Sequence, residues 1–545
     1  MQVLKTVEGL GRYLAQERDR SGPPASAPKD ATPEVTPQGD AAPAGNEPPT
    51  VGLVPTMGSL HQGHLSLIER ARRENTLVVV SIFVNPLQFG PQEDLARYPS
   101  DPDRDLRLCE QAGVDTVFMP TPAAVYGSPD PAAAELTQVI PPQSMVAVLC
   151  GPHRPGHFEG VATVVTKLLT LVAPDRTYFG YKDAQQLAIL KRLAQDLNLP
   201  GQIVGCAIVR ETSGLALSSR NAYLSAAERQ QAAALYRGLR AAQARFQAGE
   251  RRSPALIAAT QQTLAQEPAL RPQYIEVVHP ETLRPLEQID SLGMLAVAAH
   301  LGTTRLIDNI LLRDRQPIVA IDGPAGAGKS TVARQVAQRL KLLYLDSGAM
   351  YRAVTWLALE RQVEVHDEVQ VAELLPDCDL HLTASGDDPA FAAYPSRIWL
   401  KGQEVTHLIR SPEVTAQVSA VAAQPTVRET LLRQQQQYGI TGGVVMEGRD
   451  IGTEVFPQAE LKIFLTASVE ERARRRQRDL AAQQQPAADL SELERAIDER
   501  DRKDSSRRVA PLRQADDAIA LVTDGLSIDE VVSKIVALYN EKVQR

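Results

Sequence analysis

Cysteine is scarce: 545 residues contain only Cys109, Cys150, Cys206 and Cys378, with no paired spacing. A disulfide framework is thereby excluded, and the four read as thiols kept reduced inside a cell. Long apolar runs are also missing, none approaching the ~18 residues of a membrane span. Residues 1–20 include acidic side chains and lack the apolar core of a signal peptide. Nor is there an excess of positive charge, since 58 Lys+Arg stand against 66 Asp+Glu for a formal net charge of −8. A general nucleic-acid or membrane binder is therefore not expected, and any anion must be held by local basic groups. What is present, 43% hydrophobic and 23% charged residues, is ordinary for a soluble, cytoplasmic globular protein. A chain this long needs more than one core, and about three or four domains are expected.

One stretch organises the rest. The apolar run 318–321 leads into Gly323-Pro-Ala-Gly326-Ala-Gly328-Lys329-Ser330-Thr331. This is GxxxxGK followed by Ser, after a predicted strand and before a predicted helix, the context a phosphate-binding P-loop needs. The glycines let backbone N–H groups turn inward around a phosphate. Lys329 reaches the β- and γ-phosphates, Ser330 suits Mg²⁺, and the following helix aims its N-terminus at the anion. Such a motif normally opens a domain, so a complete unit must precede it.

In chain order, residues 1–20 predict an amphipathic helix, with Val3, Val7, Leu10 and Leu14 at helical spacing. Residues 21–50 are dominated by Pro, Ala, Gly, Thr and Asp, with Val35 the one large aliphatic, and read as a disordered insertion. Order resumes with Val51-Gly-Leu-Val-Pro-Thr-Met57-Gly-Ser-Leu-His61-Gln-Gly-His64: a strand, a turn, then two histidines at a helix start. Two imidazoles and a helix N-terminus facing a triphosphate would stabilise charge as pyrophosphate leaves. Alone, the pair is also open to a metal site or a helix cap. The buried-strand run 77–84 ends in FVNPLQF, which sets Asn85 and Gln88 at a strand's carboxyl end, where open α/β sheets bind ligands. A turn-rich loop, RPGHF, precedes a helix over 161–171. Two further clusters follow, Gly180-Tyr-Lys182-Asp183-Ala-Gln-Gln186 and Leu217-Ser218-Ser219-Arg220.

With VPTMGSLHQGH, FVNPLQF, RPGHF, GYKDAQQ and LALSSRNAYL in that order, residues 51–310 resemble the pantoate–β-alanine ligase (pantothenate synthetase) family. The resemblance implies a Rossmann-like α/β nucleotidyltransferase domain over 1–222 and a small α+β domain over 223–312. It implies a two-step reaction: pantoate and ATP give pantoyl adenylate and pyrophosphate, then β-alanine displaces AMP to give pantothenate. His61, His64, Lys182, Ser218, Ser219 and Arg220 would then surround the ATP phosphates, with Gly180 and Asp183 on the ribose and Met57 lining the site. Gln88, Gln186 and Asn85 would hold pantoate, and Asp105 is a candidate Mg²⁺ ligand. A homodimer through this half is left open. The sequence departs from the family at Tyr181, where Glu is usual, at Ala184, where an aromatic is common, and at Leu217, where Met is usual. Leu and Met are nearly volume-matched, and no charged phosphate contact is lost. Helical stretches 225–248 and 254–266 and strands 274–279, 294–300 and 305–310 complete the small domain, with no role given to His279 or His300.

Further on, DSGAMYRA and EGRDIGT make residues 317–541 similar to bacterial cytidylate kinase. This implies a P-loop α/β nucleoside monophosphate kinase domain over 313–545, with a β-rich CMP-binding insert at 377–410 and a lid at 470–507. The arginine run 472–478 also reads as a solvated helix face; in the kinase it is the lid, with Arg474 and Arg478 on the transferring phosphoryl group. Ser347, Arg352, Ser419, Arg428, Arg449, Asp450, Arg500, Asp504 and Arg507 would take CMP or dCMP. Glu447 stands where some relatives carry Asp. The implied partners are small molecules alone (pantoate, β-alanine, ATP, CMP, dCMP) with Mg²⁺, and neither nucleic acid nor membrane. The competing reading makes one half a nucleotide sensor that regulates the other; the retained Lys329, arginine run and HQGH pair weigh against it. The join after Ile310 is about seven residues, spanning at most roughly 25 Å.

Overall fold

The computed structural model describes residues 1–19, 49–90, 93, 95–131, 135–384, 396–482, 489–506 and 510–543. The chain divides into two compact units, Met1–Arg313 and Asp314–Arg545. In the first unit, β1 (Gln2–Leu4), β2 (Val51–Thr56), β3 (Leu77–Ile82), β4 (Thr116–Phe118), β5 (Arg176–Gly180) and β6 (Gln202–Cys206) form a six-stranded parallel sheet. Its order is β1-β4-β3-β2-β5-β6. β3 is buried along its whole length, as a strand covered on both faces must be, which is why LVVVSI shows no alternation. From β2 the chain winds one way through β3 and β4, then returns to add β5 and β6 on the other side. The winding therefore reverses between β2 and β5, and the carboxyl ends of those two strands open a crevice.

The first residues depart from expectation. Gln2–Leu4 pair with Thr116–Phe118, and the helix starts only at Val7, running to Asp19. Leu10 and Leu14 are buried as the helical period requires, whereas Val3 lies in the strand. A three-residue edge strand has no periodicity of its own to read, and its partner is distant in sequence. Arg18 donates to the carbonyls of Val172 and Ala173 (2.8 and 3.0 Å), and the Val51 N–H donates to Asp175 (2.8 Å). Of the insertion expected over 21–50, residues 21–48 lie outside the described residues.

Helices Ala226–Ala232, Ala234–Gln247 and Ser253–Leu264 follow. They pack on an antiparallel sheet of β7 (Leu270–Val278), β8 (Leu292–Leu301) and β9 (Thr304–Arg313). Leu235, Leu239 and Leu256 meet Leu295, Val297 and Leu306 in that core.

In the second unit the strands are β10 (Gln316–Asp322), β11 (Leu343–Asp346), β12 (Leu380–Ala384), β13 (Ser396–Leu400), β14 (Gln403–Glu404), β15 (Gly442–Gly448), β16 (Leu461–Thr466) and β17 (Ile519–Val522). Five of them form a parallel sheet, β11-β15-β10-β16-β17, so the strand that carries the glycine loop is central. β12, β13 and β14 form a separate three-stranded antiparallel sheet inside the span expected for the β-rich insert. Only Asp314 and Arg315 separate β9 from β10. Among the described residues no helix is long and apolar enough to cross a membrane.

Candidate active sites

In the first unit, β2 ends at Thr56 and the chain turns through Gly58 (φ 83°) and Ser59 (φ 52°). Asp105 fixes this turn: its two carboxylate oxygens accept the N–H groups of Ser59 and Leu60, each at 2.7 Å. Asp105 is 1% exposed and is absent from the cleft wall, so the structure does not bring it to the other expected site residues.

The turn delivers His61 as the N-cap of the helix Gln62–Glu74. His61 Nδ1 accepts the Gly63 N–H (3.1 Å), and His64 Nδ1 accepts the His61 N–H (3.4 Å). With both Nδ1 atoms acting as acceptors, each neutral ring carries its proton on Nε2. The rings stack with centroids 4.0 Å apart. Burial, then Lys182, lowers His61 to about 4; burial, then His61 and Lys182, lowers His64 to about 3. Both are neutral donors at ordinary pH, and the capping role left open by the sequence is real for His61.

Met57, His61 and His64, Asn85 and Gln88, Gly180, Lys182, Asp183 and Gln186, and Ser218, Ser219 and Arg220 line one cleft. They come from the segments following β2, β3, β5 and β6, at the reversal of the sheet. Asn85 is committed to the protein: it accepts from Leu87 N–H and Tyr126 hydroxyl (3.3 and 2.8 Å) and donates to the Gly160 carbonyl (3.0 Å). Its remaining contact is with Gln88 (3.3 Å). Burial raises Asp183, but Lys182 and Arg220 outweigh it and hold the carboxyl below its usual range.

Sequence reasoning gave no role to two groups in RPGHF. Arg154 is bound by Glu93 (2.6 Å) and donates to His157 Nε2 (2.8 Å), which leaves His157 Nδ1–H to donate to the Gln88 carbonyl (2.8 Å). It also missed the apolar wall of Phe83, Val161, Val164, Val165 and Leu168. The signal for that wall was the apolar face of the helix His157–Val172.

In the second unit, Gly323 adopts φ 146°, and a Cβ there would stand 1.9 Å from the Leu465 carbonyl oxygen. No other residue fits. Gly323 itself shapes the loop and does not line the cleft, which Gly326, Gly328, Lys329, Ser330 and Thr331 do. The buried Lys329 ammonium donates to the Pro324 carbonyl at 2.8 Å; burial and Arg449 lower its affinity for the proton, opposed by Glu447 and Asp322. Glu447 accepts from the Tyr344 hydroxyl and bonds the Ser330 side chain. Burial raises Asp322 to about 6, while its oxygens accept the N–H groups of Ile451 and Gly452 (2.8 and 2.7 Å).

Ser347, Arg352, Ser419, Arg428, Arg449, Asp450, Arg500 and Asp504 line the same cleft. Arg428 pairs with Asp450, and Arg449 with Asp504 at 3.0 Å. The arginine run divides by helical phase. Arg472, Arg475, Arg476 and Arg478 line the cleft, whereas Arg474 is absent from its wall, 59% exposed and paired with Glu471 at 3.3 Å. Arg507 lies outside the described residues. Among the described residues no group of three or more His, Cys, Asp and Glu is placed to hold a metal ion.

Each unit is thus a parallel-sheet α/β structure with a ligand cleft built from loops at strand ends, one of them rich in buried cations. A pantoate-beta-alanine ligase family model matches residues 35–311, and a cytidylate kinase family model matches residues 319–541. The bifunctional pantoate ligase/cytidylate kinase of Trichormus variabilis is 60% identical over 497 residues, covering 91% of this chain and 92% of that one. Its counterpart from Acaryochloris marina is 53% identical over 540 residues, 99% and 98% of the two chains. The chain belongs to the bifunctional pantoate ligase/cytidylate kinase family.

Proposed function

We propose that the first unit condenses pantoate with β-alanine using ATP, and that the second phosphorylates CMP and dCMP. The observation that carries the first assignment is the convergence of His61, His64, Gln88, Lys182, Gln186 and Arg220 in one cleft at the sheet reversal. A pantoate carboxylate oxygen attacks the α-phosphorus, the bond to pyrophosphate breaks, and pyrophosphate leaves with the electron pair. The Nε2–H groups of His61 and His64, with Lys182, Ser218, Ser219 and Arg220, donate to the phosphate oxygens as charge moves among them. Gln88 and Gln186 orient pantoate, and the apolar wall takes its methyl groups. The β-alanine nitrogen then attacks the acyl carbon. A C–N bond forms, the acyl C–O bond breaks, AMP takes the electron pair, and the amine's surplus protons pass to solvent. Residues 1–222 carry this site and 223–312 form the smaller lobe.

In the second unit a CMP phosphate oxygen attacks the γ-phosphorus of ATP and ADP leaves. Lys329 and the arginines lining the cleft hold the phosphates, with Asp450 and Asp504 on the nucleoside. Mg²⁺ bound with ATP would supply charge neutralisation on the phosphates, and the Ser330 hydroxyl, which lines the cleft beside Lys329, would hold it. Asp105, with both oxygens occupied, is assigned to holding the His61 turn. Catalysis rather than nucleotide sensing is supported in both units by intact phosphate-binding sets.

The deciding experiment is an assay of the purified full chain with pantoate, β-alanine and ATP, and separately with CMP and ATP. Pantothenate and CDP are expected; absence of either product defeats the corresponding assignment.

A further inference from the structure

Asp322 is the last residue of β10, and Gly323 opens the phosphate loop directly after it. Its register partner on β15 is Gly448, which Arg449 and Asp450 of the cleft wall follow. Asp322 itself does not line the cleft and is 5% exposed. One of its oxygens accepts the Ile451 N–H at 2.8 Å and the other the Gly452 N–H at 2.7 Å. Those are the first two residues of the helical turn Ile451–Val455. The carboxylate is therefore spent on the main chain, and it lies in the fields of Lys329 from the loop and Asp450 from the other segment.

The junction has little slack. Gly452 comes so near that a Cβ there would stand 3.2 Å from Asp322 Oδ2 and 3.2 Å from Lys462 Cδ. Across the same strand end, a Cβ on Gly323 would meet the Leu465 carbonyl oxygen of β16 at 1.9 Å. Residues 322 and 323 are thus wedged between the turn and β16, and a displacement of the loop is passed to the turn. Hydrogen bonds from N–H groups to a buried carboxylate are the strong, short kind, so the link is stiff.

Phosphoryl transfer needs such a link. The γ-phosphorus is held by the loop and the attacking CMP oxygen by the segment around Arg449 and Asp450, and a misplacement of about 1 Å between them can cost 10²-fold. We propose that Asp322 is a positioning residue that ties the ATP loop to the CMP-binding segment, so that a nucleotide bound at one orders the other; the inference rests on the kinase reading above. The coupling is reciprocal: ATP raises the affinity for CMP by the same factor as CMP raises the affinity for ATP.

Asp322→Asn in the full chain tests this. The variant keeps the side-chain shape and one accepting oxygen but turns an NH₂ group toward the second main-chain N–H. The kcat for CDP formation should fall on the order of 10²-fold. Calorimetry with β,γ-imido-ATP, which cannot transfer its phosphoryl group, should give a Kd within about twofold of wild type, and its stoichiometry reports the folded fraction of the kinase unit. In the wild-type chain that analogue should tighten CMP binding about fivefold or more, and in the variant the factor should fall to about one. Gly452→Ala leaves the carboxylate intact and crowds it; it should lower kcat about tenfold and weaken the coupling. A kcat within about threefold of wild type in Asp322→Asn overturns the proposal. So does a coupling factor that the substitution leaves unchanged, a wild-type factor of one, or a loss of analogue binding, which marks a role in folding the loop. If the wild-type chain forms no CDP from CMP and ATP, the kinase reading falls, and this proposal with it.

Discussion

On the reading proposed above, the two units would hold phosphate by different means. In the first, two of the proposed contacts are neutral: His61 and His64 are pushed down to about 4 and about 3, and backbone N–H groups fix which nitrogen carries the proton. In the second, permanent cations crowd the cleft, and several are held by carboxylates, Arg428 by Asp450, Arg449 by Asp504 and Arg472 by Asp501. Neutral donors need no counter-charge, so they sit on a rigid turn and are ready before substrate arrives. Guanidiniums gathered in one place repel each other and must be shared with carboxylates until a phosphate displaces them. The histidine pair of the first site is preorganised by hydrogen bonds, the arginines of the second by ion pairs.

The sharpest break of this contrast is Lys329→Met. Phosphoryl transfer to CMP should fall by on the order of 10³-fold or more while pantothenate synthesis stays within about twofold, because no neighbour replaces that charge on the β/γ-phosphates. A parallel loss of pantothenate synthesis in the folded variant would mean that the ligase borrows this ATP site. His64→Ala is the mirror experiment, expected to lower pantoate-dependent pyrophosphate exchange roughly 10²-fold and leave CMP phosphorylation intact.

Asp105→Asn should lower exchange about tenfold, since one clamped N–H of the turn loses its charged acceptor. The Mg²⁺ concentration for half-maximal rate should not change; a large shift would return Asp105 to the metal. Within the arginine run, Arg475→Ala should lower kcat for CMP about tenfold and Arg474→Ala by less than about threefold, judging by which side chain faces the cleft. Equal losses would mean that the helix turns in the working enzyme.

The smallest effect is on stability. The folded values of His61 and His64 lie below the unfolded value of 6.5, so between about 6.5 and about 4 the unfolded chain binds protons that the native chain does not. Stability of the first unit is therefore lost as pH falls through that window. Calorimetry of the full chain between pH 7 and pH 5 should show a falling melting temperature for the transition that pantoate with ATP raises. The fall should be smaller in His64→Asn.

The chemistry was legible where it is local. HQGH and the glycine loop keep their site residues within a few positions and were read from residue type and spacing, whereas GYKDAQQ and LSSR joined the cleft walls only through the family resemblance. What escaped depends on partners far along the chain. Gln2–Leu4 become a strand only because Thr116–Phe118 are there to pair with. Asp105 carries the right chemistry for a metal, and only its contacts with Ser59 and Leu60 reveal that both oxygens are taken. Arg474 and Arg475 are adjacent and identical in type; the set of the helix against the cleft separates them.

Arg18 and Asp175 have a practical consequence. The chain enters residues 20–48 just after the arginine tied to Val172 and Ala173, and leaves them just before the Val51 amide tied to Asp175. Both flanks are thus held at one place, the amino ends of β2 and β5, opposite the carboxyl ends that open the cleft, so an affinity tag or a fluorescent reporter spliced between them would start and end on fixed anchors.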